Sequence, residues 1–280
     1  MARPHIDFIQ AQALPWVTGL NPSFPDLPVK TLCVDPDSGA STVIVRFPPG
    51  WRGPPASYLP FDQELYVLDG GFTAQGARFG LDAYAYWPAG FAQYDQFTDT
   101  GADVLCFIEG AADIILGRPP PGRYDQTHAV PHLDTHDMAW TKQGLDPDYE
   151  WFGFSWKVLR HIPATQATTF LLDTPAQRHP PGWMVRDEVH DCTEEIMILS
   201  GELCCPYGIL TAGAYLNRPP GIRHGPYYTR FGNVLLGRVD GKLENNFNET
   251  AERVTLTPPH LPRLPENLCK YANAYQLARY

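Results

Sequence analysis

The sequence predicts an all-β fold built as two tandem halves, each an antiparallel sandwich or jelly roll. Three observations predict it. Short runs rich in Val, Ile, Tyr and Phe alternate with turn residues, and the 280 residues include 29 Pro and 24 Gly. Long amphipathic helical patterns are nearly absent. The chain also repeats itself at a spacing of 131 residues.

The repeat defines the organisation. Gly70 matches Gly201, Tyr84 matches Tyr215, Pro88 matches Pro219, and Gly90 matches Gly221. Glu64 and Leu68 match Glu195 and Leu199, while Gly101 and Gly110 match Gly232 and Gly241. Pro48-Pro49-Gly50-Trp51 returns as Pro180-Pro181-Gly182-Trp183, one residue out of step, which a single-residue insertion or deletion in the following loop explains. Each copy begins with a β-branched strand such as Thr42–Phe47 and turns a Pro-Gly corner. A strand ending in Gly follows, such as Glu64–Gly70, and then Gly-rich turns leading to a Pro-x-Gly. The domains are therefore drawn at 1–118, a linker at 119–150 that is rich in His and Asp, and 151–280. The tail after Pro262 carries a short helical pattern at Glu266–Tyr271.

Composition excludes several classes. Net charge is −10, and the 21 Lys and Arg are scattered, so the basic stripe of a nucleic-acid binder is missing. The same charge opposes docking on anionic lipid. No apolar run approaches the ~20 residues of a membrane span, and the N-terminus lacks the apolar core of a signal peptide. These features predict a cytoplasmic protein acting on a small molecule. The six cysteines form no C-x-x-C pair and read as reduced, mostly buried thiols. Cys192 lies between two candidate ligands.

The chemistry concentrates in the second half. In Glu188-Val189-His190 the first and third side chains share one face of a strand. Glu194 follows a tight turn, and His224 arrives from a later strand after Pro219-Pro220-Gly221. Two imidazoles and two carboxylates suit a divalent transition metal with open coordination positions. Without a cation, two buried carboxylates would be costly. Period-2 counting puts Met184 and Arg186 on the face of Glu188 and His190. Arg186 there would bind an anionic or enolate substrate or balance the glutamates. Glu195 points the other way and is not counted as a ligand. Among Tyr207, Tyr215, Tyr227 and Tyr228 one could donate a proton, without a means to choose. His128, His132 and His136 are spaced i, i+4, i+8, but Pro131 interrupts them, and a solvated linker is the better reading.

These residues resemble the cupin superfamily, whose motifs read G-x5-H-x-H-x3-E-x6-G and G-x5-P-x-G-x2-H-x3-N. Here Gly182, Glu188, His190, Glu194 and Gly201 fit the first, and Gly213, Pro219, Gly221 and His224 fit the second. Glu188 stands in place of the first His, and Tyr228 in place of the Asn. The first change adds negative charge and shifts preference towards harder ions. The first copy keeps the corners but not the ligands: Ser57, Leu59, Gln63 and Gln93 occupy those positions, or Ala56 and Tyr58 in the shifted loop register. Leu14-Pro15-Trp16 and Phe47–Trp51 look like the ChrR-like branch of cupins. The resemblance implies two tandem cupin β-barrels, with a metal only in the second. It implies a divalent ion, foremost Fe(II), with Mn, Ni or Zn as alternatives. The activity it implies is a non-haem dioxygenase cleaving a C–C bond beside a carbonyl or enol, in a homodimer. A redox-neutral lyase, isomerase or hydrolase is the second reading. A regulatory ChrR-like protein is the third, against which stands the missing helical domain.

Overall fold

The computed structural model describes residues 3–256 apart from 181, 182, 184 and 185. Gly182 and Met184, the tail helix at 266–271 and Cys269 lie outside the described residues.

Regular structure among the described residues is strand or short 3-10 turn. In chain order the strands are β1 (Ile6–Gln10), β2 (Val29–Val34), β3 (Ser41–Phe47), β4 (Ala56–Tyr58), β5 (Gln63–Gly70), β6 (Phe72–Ala74), β7 (Ala77–Phe79), β8 (Ala83–Trp87), β9 (Gln93–Tyr94), β10 (Ala102–Ile108), β11 (Ile115–Leu116) and β12 (Val130–Asp134). The chain continues through β13 (Ser155–Ile162), β14 (Ala167–Thr174), β15 (Arg186–Val189), β16 (Glu194–Cys205), β17 (Gly208–Thr211), β18 (Ala214–Arg218), β19 (Asn233–Val239) and β20 (Asn246–Glu249). No helix here is long and apolar enough to cross a membrane.

The described chain divides into two compact units, one centred on Leu14–Met138, the other combining Pro4–Ala13 with the described residues after Met138. In the first, a six-stranded antiparallel sheet runs β12-β8-β5-β10-β3-β2, beside a three-stranded sheet β11-β4-β9 and a β6-β7 hairpin. Alternation decides which side chains enter its core. Leu65 and Val67 of β5 point inward with Ala83, Ala85 and Trp87 of β8, while Glu64 and Tyr84 lie on the other face and hydrogen-bond at 2.6 Å. In the second unit the main sheet runs β1-β18-β16-β19-β14-β13, with β17 on β16, and β15 pairs β20. Ile196, Ile198, Leu216 and Leu235 fill its core. Glu195 and Tyr215 repeat the outer-face pair at 2.5 Å.

Two segments fall elsewhere than the sequence boundaries suggest. Pro4–Ala13, read with the first domain, carries β1, which pairs antiparallel with β18 of the second unit. The linker 119–150 carries β12, which pairs β8 in the first unit.

The repeat holds in the sheets. Gly70 and Gly201 both adopt positive φ, +68° and +75°. A Cβ at either would strike the carbonyl oxygen of Gly101 or Gly232, so only glycine fits at the end of this strand. The Pro-Pro-Gly match needs revision. β10 pairs Ala102 with Phe47, and β19 pairs Asn233 with Thr174. Phe47 therefore corresponds to Thr174 at a spacing of 127, and four extra residues, not one, enter the second copy ahead of β15.

Candidate metal centre

Backbone pairing assembles the site. Glu188 lies in β15 and meets His224 as a directly opposed antiparallel pair: each backbone N–H donates to the other's carbonyl at 2.9 Å. The Gly221 N–H donates to the His190 carbonyl at 2.8 Å, fixing the second motif against the first. Glu194 opens β16 on the parity of Ile196 and Ile198, so it faces the interior.

Glu188, His190 and His224 each bring one ligand atom into a group no wider than 4.8 Å. It is the one such group of three or more among the described residues. The imidazole orientations explain what the group wants. His190 Nδ1 lies 2.9 Å from the Glu244 carbonyl, and His224 Nδ1 lies 2.9 Å from the Ile222 carbonyl. A carbonyl only accepts, so each Nδ1 carries the proton and each Nε2 presents a lone pair. Both Nε2 atoms are buried and without a hydrogen-bond partner among the described residues. His224 Nε2 instead faces carboxylate oxygens of Glu188 and Glu194, each at 3.4 Å. Lone pairs confronting carboxylate oxygens in a buried site call for a cation between them. Donors about 2.0–2.2 Å from a common ion fit inside a group of this width. The donor set therefore fits a divalent metal.

Glu194 stands at the edge of this group. Its Oε1 is 3.9 Å from His190 Nε2, while its Oε2 accepts from Arg218 Nη1 at 3.0 Å. Glu188 Oε2 accepts from the Tyr149 hydroxyl at 2.6 Å. Burial raises the Glu188 carboxyl, the hydrogen bond from Tyr149 lowers it, and His224 and His190 would lower it only as imidazolium ions. Burial pushes the Tyr149 and Tyr227 phenols well above their ordinary range, reinforced at Tyr149 by Glu188. Both remain protonated at neutral pH.

A cavity of about 80 Å³ opens from the group. Glu188 and Glu194 are at its polar end, and Phe152, Phe154, Trp156 and Phe170 wall the rest. The Tyr227 hydroxyl is buried without a hydrogen-bond partner among the described residues, with its ring 5.9 Å from that of His224.

Of the four expected ligands, Glu188, His190 and His224 form the group, and Glu194 stands at its edge, paired with Arg218. Arg186 does not join them: it sits at the exposed outer end of the four-residue strand β15, opposite Glu249, and does not line this cavity. The guanidinium beside the carboxylates is that of Arg218. Sequence reasoning missed it, although it shares the parity of the core residue Leu216 and pairs with Glu194 across the sheet. Tyr149 was also missed, having been read as linker. Glu195 is turned away, accepting from Tyr215 at 2.5 Å and from Arg238 at 3.1 Å. Cys192 is buried, and burial pushes its thiol up to about 12, so it does not supply a thiolate at neutral pH. The five described cysteines are buried and unbridged. His132 and His136 do not converge: the first contacts the Arg78 carbonyl, the second Asp82.

Known structures share this fold. A proposed dioxygenase of Nostoc punctiforme PCC 73102 superposes with a TM-score of 0.72 at 19% identity, covering 91% of this chain and 92% of its own. Oxalate decarboxylase of Lactobacillus farciminis gives 0.51 at 10% identity, over 88% of each chain. The Escherichia coli protein YlbA, of the DUF861 family model, gives 0.51 at 13% identity, over 86% of this chain and 94% of its own. At these identities the likeness concerns the fold alone, the jelly-roll β architecture. No curated protein matches the chain. A family model described as a domain of unknown function, DUF4437, matches residues 24–246, and the chain belongs to that family.

Proposed function

We propose that this protein is a metal-dependent cupin enzyme, a non-haem Fe(II) dioxygenase that cleaves a C–C bond beside a carbonyl or enol in a small organic substrate. One observation carries the reading: two imidazole nitrogens and one carboxylate oxygen, from His190, His224 and Glu188, converge within 4.8 Å. Two histidines and one carboxylate with open positions are the donor set of non-haem Fe(II) oxygenases. A bound Fe(II) supplies Lewis-acid polarisation of substrate oxygens and an electron source for O2.

The chain's own residues do the rest. Phe152, Phe154, Trp156 and Phe170 exclude water and hold an apolar or aromatic body. Tyr227 keeps its proton and offers it in a hydrogen bond to a carbonyl or enolate oxygen at the polar end. Arg218 neutralises Glu194, leaving Glu188 as the carboxylate ligand. The bicupin reading, and the placement in the ChrR-like branch, rest on the matched registers of the two units and on the Leu14–Trp16 and Phe47–Trp51 sequences.

Metal analysis of protein purified without chelator is the first test. One equivalent of iron per chain is expected. His190→Ala and His224→Ala should lose it, while Ser57→Ala and Gln93→Ala should retain it. Iron-loaded protein is then offered aryl diketones and hydroxyketones while dissolved oxygen is followed. Full iron occupancy with no oxygen uptake on any of them would sink the dioxygenase. A second reading has its own observation: Glu194 Oε1 lies within reach of the group as a second carboxylate donor. That suits Mn, Ni or Zn in a redox-neutral lyase, isomerase or hydrolase, and turnover with zinc under anaerobic conditions would select it.

A further inference from the structure

The first unit contains a larger cavity, about 380 Å³, within the range of small-molecule sites. Its inner end is built from the residues that replace the ligand set. Gln63 opens β5 where Glu194 opens β16, and Gln93 stands where His224 does. The Gln93 amide donates to Gln63 Oε1 at 3.1 Å, the same facing pair that His224 and Glu194 make at 3.4 Å. Gln96 donates to Gln93 Oε1 at 3.0 Å. Leu59, in the place of His190, closes the end with an apolar side chain. Gln63 and Gln93 are 2% and 6% exposed.

This chain of three amides is polar and uncharged, with Gln63 and Gln93 buried and Gln96 half-buried. Its two ends are open: the Gln63 amide nitrogen and the Gln96 amide oxygen have no partner among the described residues. Flipping all three amides exchanges the ends but still leaves one donor and one acceptor. The walls are Phe24, Phe47 and Trp51. The charged lining residues, Asp26 and Arg52, are exposed at the outer end, and Arg52 is bound to Asp99 at 2.7 Å. A charged head at the amides would lose its water with no counter-charge to replace it.

We propose that the first unit is a metal-free binding site for an uncharged, flat organic molecule whose head both donates and accepts, such as a carboxamide or lactam. The site lies in its own unit and does not depend on the metal centre.

Isothermal titration of the full chain with benzamide and 2-naphthamide tests this, with benzoate and benzylammonium as charged controls. One amide should bind per chain at millimolar affinity or better, and EDTA should leave binding unchanged. Gln63→Leu should weaken it about tenfold or more, because the remaining amides lose a partner, while metal content stays the same. The isosteric Gln63→Glu should reject the amides and admit benzylammonium. Leu59→Trp should fill the cavity and abolish binding. No amide binding up to about 10 mM would overturn the proposal. So would binding that persists in Gln63→Glu and Leu59→Trp, or benzoate binding as well as benzamide.

Discussion

The Tyr149 hydroxyl donates to Glu188 Oε2 at 2.6 Å, reaching the first of the two ligand motifs from a 3-10 turn 39 residues upstream. The same hydroxyl lies 2.5 Å from the Asn245 side-chain oxygen, and Asn245 contacts Asp146. The carboxylate proposed to bind the metal is thus oriented from outside both motifs. Partners of this kind set the ligand's direction and basicity, and losing one costs about 10–100-fold in metal affinity. Tyr149→Phe should therefore keep one metal per chain when purified but release it to a chelator at about 10–100-fold lower concentration. Chelator titration followed by metal analysis reads this directly. Unaltered retention would mean that Tyr149 only walls the cavity.

The contrast between Glu188 and Tyr149 marks what the sequence can express. Period-2 counting places Glu188 and His190 on one face, and motif spacing brings Glu194 and His224 to them, because strand geometry is local. Gly70 and Gly201 announce themselves through the repeat, since the close carbonyl contact recurs. Tyr149 lies in a stretch with no periodicity, and only the folded chain carries it to Glu188. The pairing of β1 with β18 is illegible for the same reason: alternation says which face is buried, not which distant strand is the neighbour. Arg186 failed differently. Its parity is right, but the strand ends there and the side chain is exposed.

Arg218 should matter where Arg186 does not. Arg218 is 4% exposed and donates to the buried Glu194 carboxylate. Arg218→Met leaves that carboxylate buried without its cation, which costs about 3–5 kcal/mol. Arg186→Gln alters an exposed side chain and should stay within about 0.5 kcal/mol. Urea unfolding of metal-free protein separates them, and saturating divalent metal should recover part of the Arg218→Met loss by supplying positive charge beside Glu194. Equal stability of the two variants would remove the Arg218–Glu194 pair from this account.

Lys30 gives a pH signature away from the metal. It is 3% exposed in β2, with its ammonium 4.8 Å from the centre of the Trp16 ring. The Arg46 guanidinium lies 4.0 Å from the same ring and binds Asp103 at 2.6 Å. Burial first, and the Arg46 charge second, lower the Lys30 ammonium from 10.5 to about 8, with Asp103 opposing. Between those values the unfolded chain binds more protons than the folded one, so this group makes stability rise with pH. Below about 8 the native state carries the full cost of the charge. Lys30→Met should thus be more stable than the parent at about pH 7, and the gap should narrow as pH passes from about 8 to 10.5. The difference between the two proteins is the quantity to measure, because tyrosines and cysteines titrating nearby are common to both. A gap that stays constant across that window would show that Lys30 keeps an ordinary ammonium in the folded protein.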